Sequence, residues 1–83
     1  MMNYKVIVAA RGVDRAPKIE AFLKEMGVEY WQGNSVEFHT DYIAFADAAA
    51  LKDLLWYIDG VDTVKLFPDY GVGRDALHMK RLA

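Results

Sequence analysis

Two segments of the sequence repeat the same order of signals at a spacing of 33 residues. Asp14 and Asp47 each precede a run of apolar residues with helical spacing, and Gly27 and Gly60 each follow such a run. Aspartate is a favourable helix N-cap, and glycine is a favourable C-terminal cap. Each glycine is followed by valine and an acidic residue. The sequence therefore predicts two similar strand–helix–strand units.

The first unit begins with residues 4–10, whose β-branched run predicts a strand. Pro17 is tolerated in the first turn of the helix that follows. That helix has one apolar face, made of Ile19, Phe22, Leu23 and Met26. Residues 28–32 predict a short strand, and Gly33-Asn34 then offers the positive-φ residues that a tight hairpin requires.

The second unit begins with a return strand over residues 36–46, whose alternation breaks near Thr40-Asp41. This break predicts a bulge or a bend. Residues 48–59 are rich in Ala and Leu and predict a second helix, whose apolar side is made of Leu51, Leu54, Leu55 and Ile58. Residues 61–67 predict the last strand.

The resulting order of elements resembles the ferredoxin-like superfold over about residues 3–67. A right-handed crossover in each unit puts both helices on one face of a four-stranded antiparallel sheet. We therefore predict an α+β fold, a ferredoxin-like βαββαβ sandwich, in one domain over residues 1–83. Its core covers about residues 3–70, and a basic C-terminal extension, residues 71–83, contains a short helix. The superfold hosts many unrelated functions, so the resemblance implies no activity.

Composition and charge limit the classes of partner. The chain contains no Cys, which excludes disulfides and thiolate sites and favours a cytoplasmic location. Its formal net charge of −2 argues against nucleic acid, because neutralisation of phosphates supplies most non-specific affinity. The apolar run at residues 4–10 is too short for a bilayer, which needs about 20 residues. We therefore predict neither a nucleic-acid partner nor a membrane partner.

A sheet covered by helices on one side leaves its other face open to water or to a partner. Strand alternation assigns to the helix side Val6, Val8, Tyr30, Ile43, Phe45, Val64 and Leu66. It assigns to the open face Lys5, Ile7, Glu29, Trp31, Tyr42, Lys65 and Phe67. Apolar side chains among charged ones are typical of a protein interface. The predicted anchors of this interface are Ile7, Trp31, Tyr42 and Phe67. The alternative is that the C-terminal segment folds back and covers them.

The second helix contains four consecutive large apolar residues, Leu54 to Tyr57. One amphipathic stripe cannot bury all of them, so one of the four is expected to be exposed. We predict a wide buried face, with Trp56 along the helix edge, in preference to a second contact surface.

Few side chains could carry catalysis. The chain has two histidines, His39 and His78, and one serine, Ser35. His39 and Asp41 are two residues apart on one strand, as a base and its orienting carboxylate would be, but a surface strand pair is the favoured interpretation. No spacing typical of a metal or nucleotide site occurs. We therefore predict that the protein is not an enzyme and that it binds no cofactor and no metal.

The loop of residues 11–15 lies between the first strand and the first helix, where backbone N–H groups and the helix dipole attract anions. Arg11 and Arg15 are therefore the candidate residues for a small anionic ligand, a carboxylate or a phosphate. Alternatively, both arginines pair with Asp14 or with other surface acids.

Two local resemblances bear on function. Residues 13–17 and 58–64 resemble ACT regulatory domains, a family that binds amino acids or similar small ligands at interfaces between domains. Residues 41–47 are similar to the third strand of RNA-recognition motifs, whose sheet aromatics stack bases. The matching first-strand aromatic residue and the basic residue that opens that motif are absent, which argues against RNA binding.

Two hypotheses follow. The first is a non-enzymatic protein-binding or self-associating module, of the kind that serves as a small inhibitor or adaptor of a larger protein, as many short virus-encoded proteins do. The second is an ACT-like regulatory domain that senses a small ligand, with an anion site at Arg11 and Arg15.

Overall fold

The structure, a computed structural model, describes residues 2–69. These residues form an α+β fold with two helices and an antiparallel sheet of five strands, so the predicted class, helix number and antiparallel sheet are confirmed. The elements are β1 (Asn3–Ala10), a 3-10 turn (Val13–Arg15), α1 (Ala16–Glu25), β2 (Tyr30–Gln32), β3 (Glu37–Thr40), β4 (Ile43–Ala44), α2 (Phe45–Trp56) and β5 (Val61–Pro68). The predicted terminal helix and the basic extension, residues 71–83, lie outside the described residues.

Strand β1 is the centre of the sheet. β5 pairs with it from Tyr4 opposite Pro68 to Ala10 opposite Val61. Because β5 occupies that edge of β1 along its length, β3 and β4 pair with the other edge, and β2 pairs with β3. One row of paired residues therefore crosses four strands in the order Trp31, His39, Ile7 and Lys65.

The predicted return strand is interrupted where its alternation breaks. β3 ends at Thr40 and β4 begins at Ile43, and their registers against β1 differ by one residue, which confirms the predicted irregularity. The buried Thr40 hydroxyl accepts a hydrogen bond from the Val6 backbone N–H at 2.9 Å and donates one to the Asp41 carbonyl at 2.9 Å. A side-chain hydroxyl thus satisfies a backbone donor at the gap in the ladder.

Both helices begin in a different way from the prediction. Asp14 lies in the 3-10 turn and Asp47 lies in the first turn of α2, and neither helix has a side-chain hydrogen bond at its N-cap. Pro17 stands in the first turn of α1, where its fixed φ favours helix initiation. The carboxylate of Asp47 still interacts favourably with the positive end of the α2 dipole.

Phe45 was assigned to a strand and to the helix side of the sheet, and both assignments are wrong. Phe45 is the first residue of α2, and its side chain is 52% exposed. Its ring packs edge-on against Tyr4, with 5.2 Å between the centroids. α2 therefore starts three residues earlier than predicted, and the strand ends at Ala44.

The two glycines that repeat in the sequence have different roles. Gly27 has φ +71° and follows α1 directly. Its N–H donates to the Lys24 carbonyl and the Val28 N–H donates to the Leu23 carbonyl, which is the Schellman pattern and confirms the predicted cap. Gly60 has φ +94°, but α2 already ends at Trp56, so Gly60 completes the following turn and does not cap the helix.

The hairpin between β2 and β3 does not use positive-φ residues, so that prediction is wrong. The loop spans residues 33–36, which is longer than a two-residue turn. The Gly33 N–H donates to the Glu37 carbonyl at 2.8 Å, and the Asn34 side chain accepts from the Val36 N–H at 2.9 Å. The asparagine side chain thus supports the turn in place of a left-handed backbone.

The core lies between one face of the sheet and the two helices. It unites alternate residues of β1 with residues of α1, α2, β3 and β5, so both helices cover the same sheet face. Its fully buried large side chains are Val6, Val8, Ile19, Leu23, Phe38 and Leu55. Val64 is buried as predicted, whereas Met26 and Leu54, predicted on apolar helix faces, are about half exposed.

Candidate functional site

The other face of the sheet is not covered by a helix among residues 2–69. On β1 the helix-side residues are buried, and the alternate residues Lys5, Ile7 and Ala9 are only partly covered. The paired strands place further side chains beside them. We define the open face as Lys5, Ile7, Trp31, Glu37, His39, Tyr42, Lys65 and Phe67.

The four predicted anchors differ in exposure. Trp31 is 47% exposed and Phe67 is 42% exposed, whereas Ile7 and Tyr42 are half-buried. Ile7 lies next to His39 on one side and Lys65 on the other, and Phe67 lies opposite Lys5. Glu29, which was also assigned to this face, is exposed and precedes β2.

Lys5 joins two of the anchors. Its Nζ lies 5.7 Å from the centroid of the Trp31 ring and 5.8 Å from the centroid of the Tyr42 ring. A cation at this distance from an aromatic face is attracted by the ring quadrupole, with about 0.5–1 kcal/mol at an exposed site. Lys5 therefore holds together aromatic side chains from β2 and from the interruption between β3 and β4.

His39 supports Trp31 from the neighbouring strand. The two rings stack with 5.4 Å between centroids and 30° between planes. The His39 Nε2 lies 2.8 Å from the Glu37 Oε1, and since a carboxylate accepts, Nε2 donates. Gly33 closes over this pair, because a Cβ added at Gly33 would lie 2.9 Å from the His39 Nε2. The imidazole is thus held on three sides.

His39 and Asp41 were predicted to lie on one strand, and the structure contradicts this. Asp41 follows β3 at the interruption, and its carboxylate accepts a hydrogen bond from the Tyr42 N–H at 2.8 Å. The break in the strand removes the alternation that would have placed Asp41 beside His39. The carboxylate partner is Glu37, two residues away in the opposite direction along an unbroken strand.

Among residues 2–69 no group of three or more His, Asp or Glu side chains is placed to hold a metal ion. Ser35 is exposed in the β2–β3 hairpin. His78, the second candidate base, lies outside the described residues.

The candidate anion-binding arginines both contact the turn between α2 and β5. The Arg11 N–H donates to the Gly60 carbonyl at 2.8 Å, and its Nε donates to the Val61 carbonyl at 3.2 Å. The Arg15 guanidinium lies 3.1 Å from Asp59 and 3.7 Å from Asp14. The structure thus shows Arg15 paired with surface acids, and binding of a small anion by these two residues stays a prediction.

α2 exposes more apolar surface than predicted. Trp56 is 57% exposed and Tyr57 is 86% exposed, so the wide buried face is wrong. The reason is geometric: Leu51 and Leu55 already face the core, and their neighbours along the helix point elsewhere. A groove of about 300 Å³ lies beside Trp56 and is lined by Lys52, Asp53, Trp56 and Val64.

Sequence reasoning missed the residues that organise the open face. Lys5 was assigned to this face without a role, and the contribution of Glu37 and the stacking of His39 on Trp31 were not predicted. The alternation of residues 37 and 39 on one strand was a signal for their pairing. At Thr40 the sequence showed only the break in alternation. The hydrogen bond between Thr40 and Val6 was not predictable, because it joins residues distant in sequence.

Comparison of the chain with protein-family models, with curated proteins and with solved structures found no match. No helix within residues 2–69 is long and apolar enough to cross a membrane. The functional argument therefore rests on the geometry of this chain.

Proposed function

We propose that this chain is a non-enzymatic protein-binding or self-associating module that uses the open face. The observation that carries this proposal is that Trp31 contacts neighbouring side chains and is nevertheless exposed. Its ring stacks on the His39 ring and lies 5.7 Å from the Lys5 Nζ, yet nearly half of its surface, 47%, remains exposed. A large aromatic side chain that is ordered before binding loses little conformational entropy when a partner covers it.

The surroundings of Trp31 support the same function. Ile7 and Phe67 add apolar surface on the central and edge strands, and Lys5 and Lys65 lie among them. Aromatic anchors surrounded by polar groups dominate the energetics of protein interfaces. The His39–Glu37 hydrogen bond then has a positioning role, since it orients the imidazole on which Trp31 stacks.

We also propose that the architecture is a ferredoxin-like βαββαβ sandwich whose third strand is interrupted. On this view β3 and β4 are two parts of one strand, because both pair with the same edge of β1. The order across the sheet is then β2, β3 with β4, β1 and β5. This arrangement supports the functional proposal, because it leaves one sheet face for a partner.

The test is the solution mass by light scattering across a concentration series for the wild type, Trp31→Ala and Tyr57→Ala. If the open face mediates self-association, Trp31→Ala raises the dissociation constant about 30-fold or more, which corresponds to about 2 kcal/mol for an interface anchor. Tyr57→Ala removes an aromatic ring that is also exposed but lies after α2. This control is expected to associate like the wild type.

Equal loss of association in both variants, or none in Trp31→Ala, contradicts the use of the open face for self-association. A wild type that is monomeric at every concentration directs the test to a different protein, captured on immobilised wild type. A captured protein that Tyr57→Ala retains and Trp31→Ala loses supports the proposal. A protein that all three baits retain equally contradicts it. Circular dichroism of each variant confirms that the fold is intact.

A further inference from the structure

β5 is an edge strand in the described part of the chain, where it pairs with β1 alone. An edge strand presents N–H and C=O groups that another strand can pair with. The register shift at Ala9/Ala10 and the position of Pro68 limit pairing with another strand at the two ends of β5. Residues 63–67 remain as a regular segment whose outer edge pairs with no other strand within residues 2–69.

A groove lies beside this edge. Lys52, Asp53 and Trp56 of α2 line it together with Val64, the buried residue near the middle of β5. Trp56 is 57% exposed, although its neighbour Leu55 is fully buried. The edge therefore combines unpaired backbone groups with an apolar side chain and two charges of opposite sign.

We propose that the β5 edge is the binding site for a second copy of this chain, whose own β5 pairs with it antiparallel about a two-fold axis at Val64. A two-fold interface brings one patch against itself, so the patch must be self-complementary. With the axis at Val64, Lys65 lies opposite Thr63 of the second copy. An axis at Lys65 would place two like charges opposite each other, which is destabilising.

The charges on α2 also favour a second copy of this chain as the partner. Lys52 and Asp53 lie beside Val64 and therefore close to the axis. We place Lys52 of each copy beside Asp53 of the other, since pairing of Lys52 with Lys52 would bring like charges together, and in this arrangement each Trp56 gains an apolar neighbour. Two adjacent residues of opposite charge are thus complementary to the same two residues in the rotated copy.

This site uses the outer backbone edge of β5, so it adjoins the open face at Lys65 and Phe67 but does not include Trp31. Antiparallel pairing of edge strands with the same face up places both open faces on one side of a continuous sheet. Trp31 lies on β2, at the opposite edge from β5, and stays uncovered in such a dimer.

The experiment is light scattering across a concentration series with five variants: Lys52→Glu, Asp53→Lys, the double variant Lys52→Glu/Asp53→Lys, Lys24→Glu and Trp31→Ala. Each single reversal places like charges across the axis twice and is expected to raise the dissociation constant about tenfold or more. The double variant exchanges the two signs and restores the wild-type value. Lys24→Glu changes the net charge by the same amount as Lys52→Glu, but on α1, and is expected to leave association unchanged.

Loss of the dimer in each single variant and its recovery in the double variant support the β5 edge. A dimer that the reversals do not weaken, or that only Trp31→Ala dissociates, overturns the proposal, and the second of these results assigns association to the open face. A protein that is monomeric at every concentration overturns it as well.

Discussion

At the scale of single residues, Thr40 is the most constrained polar side chain of the described region. It is fully buried, and its hydroxyl both accepts from Val6 and donates to Asp41. An apolar residue of similar shape would leave the Val6 N–H buried without an acceptor. The hydroxyl is thus the reason that the sheet tolerates a gap at residues 41–42.

We predict that Thr40→Val lowers the free energy of unfolding by about 1–3 kcal/mol, the cost of an unsatisfied buried donor. Thr40→Ser keeps the hydroxyl and is expected to lose less. Urea unfolding followed by circular dichroism measures both values. No loss in Thr40→Val would contradict a stabilising role of the hydrogen bond, and a loss in Thr40→Ser as large as that in Thr40→Val would show that packing of the methyl group contributes as much as the hydroxyl.

At the scale of elements, the connections between helices and strands depend on a few specific contacts. Tyr30 on β2 donates a hydrogen bond to Glu20 on α1 at 2.8 Å. Arg15 joins the start of α1 to the turn after α2 through Asp59, and its side chain covers Gly60. These contacts fix each helix against a part of the chain that is distant in sequence.

The Tyr30 contact predicts a loss of stability in alkali. Burial raises the pKa of Tyr30 above its ordinary value of 10.0, and the hydrogen bond to Glu20 and the charge of that carboxylate raise it further. The unfolded chain therefore ionises first. The contribution of Tyr30 is fully present below about pH 10 and is lost as pH rises through the folded-state pKa.

The measurement is urea unfolding of the wild type and Tyr30→Phe between about pH 8 and about pH 11. The wild type is expected to lose more stability over this interval than Tyr30→Phe, which has no phenol to ionise. Parallel curves for the two proteins would contradict the raised pKa.

The two positive-φ glycines give a matched pair of variants. At Gly27 the only cost of an alanine is the left-handed backbone conformation, since nothing lies within 4 Å of the added Cβ. We expect the free energy of unfolding to fall by about 1 kcal/mol. At Gly60 the added Cβ would lie 2.9 Å from the Arg15 Cβ, so the arginine must also move. Gly60→Ala is therefore expected to lose more stability than Gly27→Ala in thermal or urea unfolding. An equal loss would show that Arg15 adapts without cost.

At the scale of the whole molecule, the periodicity of the sequence predicted those features of the fold that depend on local sequence patterns. The α+β class, the two helices, the alternation of β1 and the Gly27 cap follow from residues close together in sequence. The interruption of the return strand at residues 41–42 was visible in the sequence as a break in alternation. The early start of α2 was not visible, because phenylalanine is a common strand residue and Phe45 was therefore predicted to belong to the strand.

The open face was predictable in most of its membership and not in its arrangement. Alternation brought Ile7, Trp31 and Phe67 to one surface, as expected for period-two strands. The pairing of His39 with Glu37, and the place of Lys5 between Trp31 and Tyr42, depend on strand register. Register is set across the sheet, so a single strand pattern does not contain it.

The position of Lys5 also determines which chemical groups this surface discriminates against. Its ammonium already lies near the faces of Trp31 and Tyr42, the positions where an incoming lysine or arginine would otherwise be attracted. A cationic side chain that approaches these rings meets a like charge, whereas a carboxylate meets an opposite one. If the open face binds a partner as proposed, Lys5 therefore disfavours cationic side chains of that partner beside Trp31 and Tyr42 and favours carboxylates.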